Sequence, residues 1–311
     1  PSDDAICEFE NTSFTAGGTI ATGSIDSYEW YRDNTNLIDG TSDGGIYGGF
    51  NTATLTVTGA DRTADGYRYR ANLISDQGCV SRSNNAQLTV NPLADITGQP
   101  ADAEICPLEN TSFTVTTDGD PVVTGYQWQV QTGGAGPWSD ISGGIYSGEN
   151  SATLTLTGTP ASHNTNEYRV VLTTTGPCTL TSNPALLTVH PNPTANITRS
   201  VAGTLCYGDI TTLDGNPAGG DGTYIHAWAG DVTPLNQTNI QAPDFTAPSV
   251  AVETDYDITY TVQDGNGCQA VDNTTVTVYP QVQTAVLSGD ASICAGFNAD
   301  IFVEINGGLG P

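Results

Sequence analysis

A segment of about 100 residues occurs in tandem copies along this chain, and this repetition constrains the fold more than any other feature. ICEFENTSFT at 6–15 returns as ICPLENTSFT at 105–114, and GGIYGGFNTATLTVTG at 44–59 returns as GGIYSGENSATLTLTG at 143–158, at the same offset. A more distant third copy keeps the Cys, Trp and closing Val-x-Pro landmarks, and a fourth begins after Pro280. The predicted modules are 1–92, 93–191 and 192–280, followed by 281–311 as the start of a truncated fourth module.

Within each module the hydrophobic period is two. Segments such as TATLTVT at 52–58 and TLTLT at 153–157 alternate threonine with apolar residues, as a strand does with one face on a core and one in water. Glycine-rich and Asn/Asp-rich turns separate these segments, and no apolar stripe at helical spacing is longer than two turns. Modules of this length with about seven strands predict an all-β fold, a rod of tandem immunoglobulin-like β-sandwiches.

Large aromatic residues recur at fixed positions of the modules. Trp30, Trp128 and Trp228 are aligned on the predicted third strand, while Tyr69 and Tyr168 fall on the penultimate one. A ring that recurs at one position in divergent copies has a packing role first, so we predict that these residues form the cores.

The seven cysteines fall two per module, with one left over. Such pairing, without clustered metal-ligand spacing, indicates disulfides formed in an oxidising, extracellular compartment. We predict bonds inside each module: Cys7–Cys79, Cys106–Cys178 and Cys206–Cys268. Bonds between neighbouring modules remain the alternative, because the sequence does not show which end of the sandwich each cysteine occupies. Cys294 is the odd residue, and its partner is expected beyond residue 311.

The order Ile-Cys, Tyr-x-Trp, Ala-Thr-Leu-Thr-Val, GYRYR at 66–70, a Gly-Cys or Pro-Cys hairpin and a closing Val-x-Pro resembles a known family. These are the tandem Ig-like and PKD-like repeats of large secreted surface proteins of Bacteroidota, including gliding-motility adhesins exported by type IX secretion. The third module, with QDGNGC at 263–268, looks closer to the PKD-like branch. The resemblance implies a β-sandwich architecture and a cell-surface location, but it does not identify a ligand.

Composition excludes several functional classes. The net charge of −27 would repel nucleic acids and anionic lipids, and no apolar run is long enough for membrane insertion. All seven basic residues are arginines, so lysine-dependent chemistry is excluded within these residues. No catalytic motif surrounds His163, His190 or His226. The segment is therefore expected to be non-enzymatic and to need no cofactor other than, at most, calcium.

Carboxylates in Gly-flexed turns are the groups that could bind calcium, because Ca²⁺ prefers oxygen ligands. The candidates are Asp118, Asp120, Asp221 and Asp264, with Asp95, Asp102 and Glu104 at the joints as competing positions. The simpler interpretation is that acidic turns keep an extracellular chain soluble.

Trp138 is a large aromatic residue with no counterpart in the first module. It is a candidate sugar-stacking platform, although a role in covering the edge of the sandwich is favoured.

The favoured function is that of an extracellular repeat segment of a cell-surface adhesin or stalk, projecting or forming a fibre outside the cell. Its expected partners are neighbouring modules of the same chain, with homopolymeric filament contacts and surface glycans as further options. One alternative is a subunit of a self-assembling extracellular filament. Another is a set of accessory or carbohydrate-binding modules in a secreted enzyme.

Overall fold

The computed structural model describes residues 1–19, 23–37, 45–174, 176–281, 283–284 and 305–306. The chain divides into two compact units. The first unit contains Pro1–Ala103, Asn110–Thr159 and Thr165–Thr188, and the second contains Glu104–Glu109, Pro160–Asn164 and Val189–Pro311. The first two modules lie mainly in the first unit. The second unit holds the third module together with three short segments of the second, Glu104–Glu109, Pro160–Asn164 and 189–191.

The described residues of the first module form two sheets from nine strands. These are β1 (Asp4–Cys7), β2 (Thr12–Thr15), β3 (Ile25–Arg32), β4 (Thr35–Asn36), β5 (Ile46–Gly48), β6 (Thr54–Thr58), β7 (Arg68–Ser75), β8 (Val80–Arg82) and β9 (Ala86–Asn91). One sheet has the order β1-β9-β7-β3-β4, with β8 paired to β7, and the other has the order β2-β6-β5. Strand β1 runs parallel to β9. Two such sheets around one core form an immunoglobulin-like sandwich.

The predicted alternation determines which residues form this core. In β6, Leu55 and Val57 are fully buried between exposed or half-buried threonines. Phe14 of β2 stacks on Tyr69 of β7 with ring centroids 4.7 Å apart. In antibody domains the corresponding strands are joined by a disulfide that packs on the core tryptophan. Here an aromatic stack joins them instead, and neither strand carries a cysteine.

The second module repeats this arrangement. Its strands are β10 (Ile96–Gly98), β11 (Ala103–Ile105), β12 (Thr111–Thr114), β13 (Thr116–Thr117), β14 (Gly125–Gln131), β15 (Ser139–Asp140), β16 (Tyr146–Ser147), β17 (Thr153–Leu156), β18 (Glu167–Thr173), β19 (Thr179–Thr181) and β20 (Ala185–Val189). The main sheet has the order β11-β20-β18-β14-β15, with β19 paired to β18, and the smaller sheet has the order β12-β17-β16. Phe113 and Tyr168 form the equivalent stack at 4.8 Å.

The third module has a different set of strands. The remaining strands of the described chain are β21 (Pro193–Thr194), β22 (Thr198–Arg199), β23 (Leu205–Cys206), β24 (Ile210–Asp214), β25 (Ala218–Gly219), β26 (Tyr224–Gly230), β27 (Asp244–Thr246), β28 (Thr254–Asp264), β29 (Gln269–Tyr279), β30 (Gln283–Thr284) and β31 (Ile305–Asn306). Its sheets have the orders β23-β29-β28-β26 and β22-β24-β27. No strand lies between β26 and β27, where the other modules have two. The difference lies after Trp228, in the module whose two cysteines, Cys206 and Cys268, are closer in sequence than those of the other modules.

The aligned tryptophans are core residues, as predicted. Trp30 and Trp128 are fully buried and Trp228 is 5% exposed. Each indole Nε1–H donates to a backbone carbonyl oxygen, at 2.9 Å from Thr52, 2.9 Å from Ser151 and 2.8 Å from Ile240. The indole dipoles are therefore satisfied within the protein and give no sign of a ligand site.

Helix is confined to short segments in the described part of the chain. The 3₁₀-helices are Arg62–Ala64, Thr132–Gly134 and Ala161–His163, each of three residues. None of the described helices has the length and hydropathy needed to cross a bilayer.

Candidate functional site: the disulfide-linked joints

A turn with one conformation follows the first strand of each main sheet and carries the first cysteine of each module. We call it the leading turn, and it comprises Cys7–Glu10, Cys106–Glu109 and Cys206–Asp209. The cysteine N–H donates to the carboxylate three residues later at 2.9, 2.9 and 2.8 Å. The third residue of the turn has a positive φ in every copy: 68° for Phe9, 69° for Leu108 and 86° for Gly208.

The second cysteine of each module lies in the connection between two antiparallel strands, which we call the hairpin turn: Cys79 between β7 and β8, Cys178 between β18 and β19, and Cys268 between β28 and β29. In the first module, Ser75 N–H donates to the carbonyl oxygen of Cys79, and Cys79 N–H donates to the Ser75 hydroxyl oxygen at 3.0 Å. In the third module, Asp264 N–H donates to the carbonyl oxygen of Cys268, and the Asp264 carboxylate accepts from Cys268 N–H at 2.9 Å. A short side chain at the first position thus holds the cysteine in the same way in both turns.

The disulfides join the leading turn of one module to the hairpin turn of the next. Cys7 is bonded to Cys178 and Cys106 is bonded to Cys268, with Cα separations of 5.6 and 5.4 Å. The prediction of bonds inside each module, Cys7–Cys79, Cys106–Cys178 and Cys206–Cys268, is therefore wrong. The alternative left open by the sequence, bonds between neighbouring modules, is the one observed.

Strand register explains why a module cannot close its own bond. Because β1 and β9 are parallel, Cys7 lies opposite Asn91 at the end of β9. Tyr69, near the start of β7, lies opposite Ala86, and β7 then runs away from Asn91 towards Ser75. About eleven strand positions of about 3.3 Å each, roughly 35 Å, separate the two turns. A disulfide requires Cα atoms within about 7 Å. The two turns occupy opposite ends of the sandwich.

The bonded hairpin cysteines are buried against the joint that follows the preceding module. Cys178 and Cys268 are each 1% exposed. Their Sγ atoms lie 3.8 Å from the carbonyl oxygens of Asn91 and His190, which are the middle residues of the Val-x-Pro joints. The two cysteines not bonded in the described chain, Cys79 and Cys206, are exposed. Cys294 lies outside the described residues.

Polar contacts reinforce the first joint, which is the Val-x-Pro segment at 90–92 and the residues that follow it between the first and second modules. Arg62 Nε donates to the Glu8 carboxylate at 2.9 Å, and Arg62 Nη2 donates to the carbonyl oxygen of Leu93 at 2.9 Å. Arg62 Nη2 also donates to the carbonyl oxygen of Asp120 at 3.3 Å, in the second module. The hydrogen bond to the buried Glu8 raises the pKa of Arg62. Arg62 therefore connects the first module, the joint and the second module.

The second joint uses different residues. Ala161 stands where the first module has Arg62, at the offset that relates the two modules. Here His190 Nε2 lies 3.1 Å from the Glu104 carboxylate, and His190 N–H donates to the carbonyl oxygen of Ile105. The disulfide is therefore the feature that both joints share.

Two of the calcium candidates lie near Arg62. The Asp118 carboxylate accepts from the N–H of Asp120 at 3.1 Å, and the Asp120 carboxylate lies 3.5 Å from Arg62 Nη1. A guanidinium at this distance opposes cation binding. Of the competing joint positions, Asp102 accepts from the N–H of Leu186 at 2.7 Å, and the backbone carbonyl of Asp95 accepts from Asp118 N–H at 3.3 Å.

The other two candidates meet at the hairpin turn of the third module. Asp221 accepts from the N–H groups of Thr223 and Gly265 at 2.8 and 3.1 Å, and these bonds lower the pKa of Asp221. Asp264 is buried, and its Oδ1 accepts from Asn266 and Cys268. No group of three or more His, Cys, Asp or Glu side chains suited to a metal ion occurs among the described residues. Calcium binding remains a prediction.

The remaining candidate residues lie in local packing environments. The ring of half-buried Trp138 is covered by the Arg169 guanidinium, whose Cζ is 4.1 Å from the ring centroid. A covered face favours the edge-covering role over sugar stacking. His226 Nδ1 lies 2.7 Å from the Tyr260 hydroxyl, and burial lowers the pKa of His226 and of His163.

Sequence reasoning missed Arg62. The available signal was the contrast with Ala161 in a copy that is otherwise closely similar. The roles of Glu10, Glu109 and Asp209 were also missed, although a carboxylate recurs three residues after each leading cysteine.

No family model and no curated protein matches this sequence. The modules are immunoglobulin-like by strand order. Among similar solved structures, the titin I-band fragment I67–I69 has a TM-score of 0.47 and 13% identity, covering 89% of this chain and 96% of that one. The first eight Ig domains of Down syndrome cell adhesion molecule give 0.46 and 16%, covering 92% and 36%. Extracellular domains 3–5 of Drosophila OTK give 0.35 and 14%, covering 89% and 94%.

Proposed function

We propose that this chain is a non-enzymatic, extracellular segment of a cell-surface adhesin or stalk, in which disulfides link successive immunoglobulin-like modules. The observation that carries the proposal is the register of the two bonds, each of which joins a leading turn to the hairpin turn of the next module. A bond inside a module would stabilise that module alone. A bond across a joint resists separation of neighbours, which is the property that a spacer under tension needs.

The chemistry of the chain supports the compartment. Disulfides persist outside the cell and are rare where glutathione and thioredoxin keep thiols reduced. The net charge of −27 opposes binding to anionic surfaces. The resemblance to repeats of Bacteroidota surface proteins points in the same direction and suggests export by type IX secretion.

A protease-accessibility experiment on intact cells tests the location. Antibodies raised against residues 1–281 should label unfixed cells that express the native protein, and brief proteinase K treatment should remove the signal without lysis. A cytoplasmic protein followed in the same samples serves as the control for cell integrity. Protection of the epitope until the cells are lysed would contradict the proposal.

A purified sample tests the non-enzymatic part of the proposal. The oxidised chain should show no turnover of glycoside, ester or peptide reporter substrates. Activity that copurifies with the chain and is lost on a single substitution would contradict the proposal, because it would place a catalytic site within these modules.

A further inference from the structure

Cys79 and Cys206 lie in the two different types of turn that each observed disulfide joins. Cys79 lies in a hairpin turn, the position that Cys268 occupies when it is bonded. Cys206 lies in a leading turn, the position of Cys7 and Cys106 in both bonds. Both are exposed. The described chain thus has one unbonded cysteine in a hairpin turn and one in a leading turn.

The site around Cys206 already has the geometry of a joint. Cys206 lies opposite Tyr279 in the parallel pairing of β23 with β29, just as Cys7 lies opposite Asn91. Tyr279 is the middle residue of the third Val-x-Pro. The carbonyl oxygen at this position contacts the incoming hairpin cysteine in both observed links.

Burial of the hairpin cysteines points to the same conclusion. Cys178 and Cys268 are each 1% exposed, whereas Cys79, in an equivalent turn, is exposed. The Cys79 turn has the hydrogen bonds of the Cys268 turn and differs in lacking a module against its Sγ. The exposed Cys79 thiol is therefore accessible to a cysteine of another module.

We propose that Cys206 forms a disulfide with the hairpin-turn cysteine of a following module, and that Cys79 forms one with the leading-turn cysteine of a preceding module. The linkage seen twice in this chain thereby continues in both directions. This inference depends on the proposed function only for its oxidising compartment.

The redox step is thiol–disulfide exchange with a low-molecular-weight disulfide such as oxidised glutathione. One cysteine thiolate attacks the oxidant and releases one thiol, giving a mixed disulfide. The second cysteine thiolate then attacks the protein sulfur of that mixed disulfide and releases the second thiol. Two protein thiols are oxidised, one S–S bond forms in the protein, and the oxidant is reduced to two thiols.

The purified chain tests this proposal, because two copies can supply the two types of turn. Two variants in a Cys294→Ser background are needed: Cys79→Ser, which retains Cys206, and Cys206→Ser, which retains Cys79. Each is incubated alone and in an equimolar mixture in a glutathione redox buffer. Dimers are quantified by non-reducing electrophoresis, and the linked peptides are identified by mass spectrometry.

In the mixture, the amount of the Cys206–Cys79 heterodimer should exceed the amount of either homodimer by about tenfold. The reason is that both observed disulfides join a leading turn to a hairpin turn. Homodimers as abundant as heterodimers, or thiols that remain unreacted while Cys7–Cys178 and Cys106–Cys268 are intact, would overturn the proposal. Unchanged melting temperatures of the variants confirm that the substitutions leave the fold intact.

The native protein distinguishes the two sources of a partner module. A peptide map of the full protein that links Cys206 to a later cysteine of the same polypeptide, in a species that migrates as a monomer, identifies a flanking module. Covalent multimers that dissociate on reduction identify a second copy. A free Cys206 in native oxidised material would contradict the proposal. The cell-surface experiment is independent of these results, so the proposed function can stand when this proposal fails.

Discussion

Cys7 and Cys178 are covalently bonded although they are 171 residues apart in the chain. By the chain-entropy relation, closing a loop of this length lowers the free energy of the folded state relative to the unfolded state by about 5 kcal/mol. The bond also keeps the end of the first module at the hairpin turn of the second. Its largest effect is therefore expected on the connection between modules, and less on the core of either.

Removing this bond should make the first two modules unfold at a lower temperature. The Cys7→Ser/Cys178→Ser double variant is expected to lose up to about 5 kcal/mol of stability, because loop closure no longer restricts the unfolded chain. Calorimetry with and without the substitutions measures the change. The Cys79→Ser/Cys206→Ser double variant, which alters exposed thiols, is the matched control and should melt as the parent does.

Loss of the Arg62 contacts should weaken the first joint. Arg62→Ala removes the partner of the buried Glu8 carboxylate, and we expect a cost of about 1 kcal/mol, a modest value because the guanidinium is 40% exposed and screened by solvent. Urea unfolding in low salt measures the change. Arg82→Ala, at an exposed position in β8, should have no measurable effect, and an equal loss in both variants would contradict the assigned role.

The aromatic stack should contribute to the stability of each sandwich. Phe14 is 2% exposed and Phe113 is 1% exposed. Phe14→Ala and Phe113→Ala should each cost about 3–5 kcal/mol, because a large cavity opens between the sheets. Phe9→Ala, in the leading turn where the side chain is 65% exposed, is the control and should change stability by under about 0.5 kcal/mol. Chemical denaturation of the three variants makes the comparison.

Acidification should destabilise the fold through two histidines. Burial lowers the pKa of His163 and of His226, so the unfolded chain binds more protons than the folded chain as the pH falls below the ordinary value of about 6.5. Their contribution is fully present above this pH and is lost as the pH decreases through the folded values. Melting temperatures between pH 7.5 and 5.5, above the usual range of carboxylates, should fall less in a His163→Gln/His226→Asn variant. An unchanged slope would show that other groups are responsible.

The bonds should limit how far the chain can be stretched. The shortest covalent path from Cys7 to Cys268 passes through both disulfides and the backbone from Cys106 to Cys178. At about 3.6 Å per residue, about 72 residues extend to about 260 Å, whereas the reduced chain offers about 261 residues and about 940 Å. Single-molecule pulling with and without a reductant measures both lengths. A contour length unaffected by reduction would contradict a mechanical role for the bonds.

Much of the fold could be predicted from local sequence. The threonine alternation around Leu55 and Leu154 indicates strands with one buried face, and recurring tryptophans such as Trp30 indicate the cores. Both follow from residue chemistry that repeats at a period of two or at the module spacing. The split of the last strand into β8 and β9 could not be anticipated, because it depends on how the chain leaves β7.

The disulfide pairing could not be predicted, because it depends on the register between strands distant in sequence. The intervals from Cys7 to Cys79 and from Cys106 to Cys178 are equal, which is compatible with bonds inside or between modules. The parallel pairing of β1 with β9 decides the matter, since it places Cys7 at the opposite end of the sandwich from Cys79. Arg62 escaped prediction for a similar reason, because its partners belong to three separate segments.

Disulfide mapping of the oxidised chain tests the central claim most directly. The protein is alkylated without reduction, digested at acidic pH to prevent exchange, and its linked peptides are sequenced by mass spectrometry. The structure predicts peptides that join Cys7 to Cys178 and Cys106 to Cys268, with Cys79 and Cys206 absent from both. Peptides joining Cys7 to Cys79 and Cys106 to Cys178 would contradict the account, because the modules would then be closed individually and no covalent bond would cross the joints.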